Sequence, residues 1–104
     1  MKTASQRIEV HFKEAMNLAE QIRLMADEVI NIARRDIPAF GTITKRGWNS
    51  QCADSLVKRE MEIGSLLEEE GDELKKLAGE IEEQAREMYL AEAVNTTLAA
   101  TRIY

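Results

Sequence analysis

The chain has 104 residues, of which 44% are apolar, 5% aromatic and 32% charged. That is room for a single domain, with the aliphatic, charged, aromatic-poor mix of long amphipathic helices; it excludes a β-sandwich and is too apolar for a disordered chain. The formal net charge of -5, with Glu68, Glu69, Glu70, Asp72, Glu73, Glu80, Glu82 and Glu83 crowded into the second half, argues against nucleic acid as a partner, because phosphate binding needs a basic stripe.

In chain order, the opening MKTASQRIEVHF carries Lys2, Arg7 and Glu9 and holds no continuous apolar core of a secretory signal. The first predicted helix, residues 8–40, shows apolar positions at Ile8, Phe12, Ala15, Ala19, Ile22, Ala26, Val29 and Ala33, a heptad-like seam on one face. A flanking row of Leu18, Met25 and Ile32 repeats every seven residues and widens the stripe. The seam becomes irregular after Ala33, where Asp36 takes the next slot and Pro38 follows. Proline restrains the residue before it and removes a backbone donor, so the helix is expected to end or kink near Ile37. Phe40 and Ile43 carry apolar character a little further.

A connector is predicted over 41–49 and holds the only tryptophan, Trp48. Its ring is large enough to fold over both helix ends and pin the turn. The second helix, 50–95, starts with Asn49 or Ser50 as cap and Asp54 in the first turn. Its seam reads Ala53, Leu56, Ile63, Leu67, Leu74, Leu77, Ile81, Ala85 and Met88, interrupted by Glu60 and Glu70. A second row at strict sevens holds Val57, Gly64, Gly71, Ala78 and Ala85. Glycine inside a helix costs about 1 kcal/mol against alanine, so this row marks either a shaved groove for a neighbouring helix or local flexibility. A C-terminal tail, 96–104, follows.

The expected fold is all-α: two long antiparallel helices in a helical hairpin with a Trp-x-Ser turn. Each stripe is wider than one neighbour can cover, which predicts pairing with another hairpin into a four-helix bundle. Phe12, Ala19, Ile22, Val29, Leu56, Ile63, Leu67, Leu74 and Ile81 are the expected partner-packing seam. Whether the partner is a second copy or another protein stays open.

Little points to chemistry. His11 and the single Cys52 have no companions at metal-ligand spacing, and a di-metal carboxylate bundle needs Glu-x-x-His pairs that are missing. Cys52 stands at a helix start with no paired base, and Arg23, Lys58 and Arg59 read as exposed flanks rather than a convergent pocket. No enzyme activity, metal or cofactor is expected. No apolar run approaches the ~20 residues that span a bilayer, so no stable membrane insertion is expected either.

The segment Trp48-Asn49-Ser50 followed by Ala53-Asp54-Ser55-Leu56 resembles the mid-chain turn of the WXG superfamily, the ESAT-like substrates of type VII secretion in Gram-positive bacteria. Ser50 stands where that family carries glycine, and Leu56 where it carries an aromatic. The resemblance spans nearly the whole chain, from RIEVHF to the Firmicutes-type tail YLAEAVNTTLAATRIY. It implies a small non-enzymatic secretion-system protein: an exported substrate, or a targeting partner of the helical N-terminal domain of a larger secreted toxin. It further implies recognition by the export ATPase, and a location that is cytoplasmic before export and then secreted or at the cell surface, without a cleaved signal peptide. The family's export signal is Tyr-x-x-x-Asp/Glu. Here the fourth residue after Tyr89 is Ala93, and Met88 with Glu92 supplies a looser apolar-x-x-x-acid version, two residues on one helix face. Met88, Tyr89 and Glu92 are thus the candidate export-recognition surface, the plain alternative being a seam-rim tyrosine beside a solvated charge. The alternative function is an intracellular coiled-coil adaptor with no export role.

Overall fold

The computed structural model describes residues 3–47 and 51–101. These comprise helix α1 (Ala4–Asn31), a π-helical turn (Ile32–Asp36), helix α2 (Ile37–Gly47) and helix α3 (Gln51–Thr101), with no strand among the described residues. The expected turn residues Trp48 and Ser50, and the cap position Asn49, lie outside them.

Helix α1 begins four residues earlier than the apolar seam suggested, because Thr3 and Gln6 cap it reciprocally. The Gln6 amide donates to Thr3 Oγ1 at 3.2 Å and the Thr3 amide donates to Gln6 Oε1 at 2.9 Å. This box satisfies two backbone donors that a helix start leaves unpaired. The Arg7 amide then donates to the Thr3 carbonyl at 3.0 Å, closing the first turn.

Pro38 does not end the helix. Its ring would crowd the carbonyl four residues back, and it has no amide to donate. The chain answers with one wider turn, in which the Ile37 amide reaches the Ile32 carbonyl five residues away. Helix then resumes to Gly47, so most of the expected 41–49 connector is helical. The extra residue in the turn also explains the irregular seam: Asp36 is exposed and Ile37 takes the inward place. At the other end, the expected 96–104 tail continues α3 as far as Thr101. The Thr96 and Thr97 hydroxyls there donate to the Glu92 and Ala93 carbonyls at 2.8 and 3.0 Å.

The chain forms two compact units, Met1–Ile22 with Lys76–Tyr104, and Arg23–Lys75. In the first, Ala19, Ile22 and Ala78 are buried, and the Phe12 and Tyr89 rings meet at 4.9 Å between centroids, tilted by 44°. In the second, Ala26, Ile30, Ala33, Gly41, Ala53, Gly64 and Gly71 are buried. Its two strands of helix run antiparallel, since Ile30 lies over Gly71, Ile37 over Gly64 and Val57 by Gly41. Such pairing within a unit is consistent with a helical hairpin.

The row at strict sevens is a close-approach seam. A Cβ on Gly64 would stand 3.2 Å from Ile37 Cγ2 and 3.4 Å from the Ala33 carbonyl oxygen. Among the described residues, the buried apolar side chains are alanines together with Ile22 and Ile30. The core is therefore thin, and the larger aliphatic side chains flank it.

Candidate functional site

The second unit has two unlike edges. Residues one position before the seam on each of two antiparallel helices fall on one edge, and residues just after it fall on the other, because each residue advances the helix by about 100°. On the edge after the seam, Arg34 reaches across to Glu68, with Nη2 at 2.6 Å and Nε at 3.0 Å from Oε1. Lys75 Nζ meets Asp27 Oδ1 at 3.1 Å on the same edge. The Arg34 guanidinium is held above its ordinary pKa by the hydrogen bond to Glu68 and, next, by that carboxylate's charge. These pairs are solvent-accessible, so they fix geometry more than they stabilise.

On the edge before the seam, Met25, Ile32, Phe40, Leu56 and Ile63 line up, with Ile43 and Leu66 beside them. These seven side chains are between 42% and 62% exposed. A contiguous group of large apolar side chains is what a surface awaiting another helix presents.

The sequence-predicted packing residues are divided between these roles. Ala19 and Ile22 are buried, Phe12, Val29, Leu67, Leu74 and Ile81 are half-buried, and Leu56 and Ile63 stand on the open edge. In the first unit, Leu18 and Leu77 occupy the equivalent positions before the seam and are about half exposed.

Met88, Tyr89 and Glu92 all line one groove of the first unit, together with Ile8, His11 and Phe12. Tyr89 is half-buried through its ring contact with Phe12, whereas Met88 and Glu92 are exposed at the rim. His11 Nδ1 lies 3.8 Å from Glu14 Oε2. The tyrosine thus has a packing role, and the exposed pair is Met88 with Glu92.

Glu60, which interrupts the predicted seam, points inward beside α2. Thr44 Oγ1 donates to its Oε1 at 3.3 Å, while its Oε2 is buried without a partner. Cys52 is an exposed free thiol. Among the described residues, no group of three or more His, Cys, Asp or Glu is arranged to hold a metal ion, and no helix is long and apolar enough to cross a membrane.

Sequence reasoning missed the Arg34–Glu68 and Lys75–Asp27 ion pairs and the Thr3–Gln6 cap. The signals were present: opposite charges just after each seam, and a Thr-x-x-Gln box ahead of the first apolar residue. No protein-family model, curated protein or solved structure matches the chain. Fold and site define a helical protein whose second unit, among the described residues, carries an open apolar edge.

Proposed function

We propose that the chain is a small non-enzymatic type VII secretion protein, an exported substrate or a targeting partner of a larger secreted toxin, that works by packing its helices against another helical hairpin. The single observation that carries the helix-pairing part is the open edge of Met25, Ile32, Leu56 and Ile63 opposite an edge closed by ion pairs. Covering the exposed half of a Leu or Ile side chain is worth about 1 kcal/mol, so the seven residues of this edge contribute about 7 kcal/mol from one side of an interface. Association costs roughly 4–15 kcal/mol, which a matching edge on the partner offsets. The result is a four-helix bundle with the ion-paired edge outside.

The secretion part rests on the resemblance carried by Trp48, Ser50 and the segment Ala53-Asp54-Ser55-Leu56. In this reading Met88 and Glu92 are offered at the surface to the export ATPase, while Tyr89 is held against Phe12. The test is the producing bacterium's culture supernatant, probed with an antibody to the chain. The protein is expected there, and absent when the membrane ATPase of the secretion system is deleted. Retention inside cells with an intact ATPase would leave the intracellular adaptor instead.

A further inference from the structure

The ion-paired edge of the second unit repeats every seven residues. Asp27 and Arg34 stand on one side, with Lys75 and Glu68 opposite, at 3.1 and 2.6 Å respectively. One repeat further along, counting the extra residue of the π-helical turn, the next rung is Thr42 and Met61. Neither is charged, and here the edge opens into a groove of about 230 Å³ with Ile37, Pro38, Val57 and Met61 as its apolar walls. Gly41 and Glu60 also line it, and a Cβ on Gly41 would stand 3.7 Å from Glu60 Oε2. Glu60 Oε1 accepts the Thr44 hydroxyl, whereas Oε2 is buried with no partner. Two other polar side chains line the groove. The Thr42 hydroxyl already donates to the Pro38 carbonyl at 3.2 Å, and Lys45 is exposed and in no ion pair among the described residues.

We propose that this groove takes the side chain of a lysine from another protein, with its ammonium on Glu60 Oε2. A buried carboxylate oxygen calls for a donor, and a cation answers its charge as well. One free oxygen suits an ammonium, which is a point charge, while a guanidinium favours both oxygens of a carboxylate at once. Apolar walls match the aliphatic stem behind a lysine's charged end. Size favours a single side chain too, since small-molecule sites run to about 300–1,000 Å³. The inserted lysine supplies, from outside the chain, the ion pair that Thr42 and Met61 do not make. This edge is opposite Ile32 and Ile63, so the groove stays open in the bundle proposed above, and the inference does not depend on export.

Titration of the isotope-labelled chain followed by nuclear magnetic resonance tests it, with Nα-acetyl-lysine amide as the probe. The Gly41 and Thr42 amide signals should move as the probe is added. A probe acetylated at Nζ should bind at least about tenfold more weakly, and so should the first probe to a Glu60→Gln chain shown by circular dichroism to remain helical. Signals that stay still with the lysine amide, or move equally with the Nζ-acetylated probe, would overturn the inference. Movement with butylamine alone would assign the groove to free amines, and movement only after Lys45→Met would show that the chain's own lysine fills it. Either of those results also overturns it. None of them touches the supernatant test of secretion, so the two proposals fail separately.

Discussion

Ile30 lies so close over Gly71 that a Cβ on the glycine would stand 3.0 Å from Ile30 Cδ1 and 3.3 Å from the Ala26 carbonyl oxygen. The two helices of the second unit approach this closely only because position 71 has no side chain. Gly79 differs, with nothing within 4 Å of its would-be Cβ. Both glycines carry the same intrinsic helix penalty, so they separate packing from propensity.

Gly79→Ala should therefore stabilise the protein by up to about 1 kcal/mol. Gly71→Ala gains the same helix propensity but overpacks the seam at a cost of about 1–3 kcal/mol, and should lose stability overall. Gly64→Ala meets the half-buried Ile37 at 3.2 Å and should fall between them. Urea unfolding followed by circular dichroism, at one fixed protein concentration, gives the order. If Gly71→Ala proved as stabilising as Gly79→Ala, the close approach would be wrong.

The π-helical turn makes a sharper prediction, about register. Removing Asp36 and changing Pro38→Ala together leaves Ile37 three residues after Ala33, which is its seam place in an unbroken α-helix. That double change should keep full helicity and unfold at or above the wild-type denaturant concentration. Removing Glu28 instead rotates everything that follows by about 100° and should destabilise strongly. Equal damage from the two deletions would mean that the turn does not set the register.

Phe12 and Tyr89 should be energetically coupled. Their ring geometry predicts a coupling of about 0.5–1.5 kcal/mol in a double-mutant cycle with Phe12→Ala and Tyr89→Ala. Strict additivity would leave Tyr89 as a rim residue with no packing role.

Glu60 is a local cost within the seam. Its Oε2 is buried without a partner, and such an atom costs about 1–3 kcal/mol. Glu60→Leu should raise the unfolding midpoint, despite loss of the 3.3 Å bond from Thr44. A lower midpoint would show that the carboxylate has a favourable role at this position.

The sequence made the helical character and the α1 seam legible, because Phe12, Ala19, Ile22 and Ala26 repeat at spacings that a helix alone brings to one face. It also singled out Gly64 and Gly71 as either a groove or a point of flexibility, and the close approach of Ile37 and Ile30 favours the groove. On α3 it placed Leu56 and Ile63 in one seam with Ala53, and the two helices of the second unit separate these roles. Close helix approach gives the centre to small residues, and Leu56 and Ile63, one position before Val57 and Gly64, stand at the edge. The passage through Pro38 was hidden as well. Whether proline ends a helix or is absorbed by one wide turn depends on packing further along, here of Ile37 and Gly41, which local propensity does not contain.

An interface at the Ile32 and Ile63 edge would show in the mass of the particle in solution. Light scattering on the wild-type chain and on an Ile32→Asp, Ile63→Asp chain tests it most directly. The wild type should weigh about twice the 11.8 kDa chain, and the doubly substituted chain should fall to the mass of one chain while remaining helical. A wild type at the single-chain mass with full helicity, or a substituted chain that keeps the doubled mass, would contradict it.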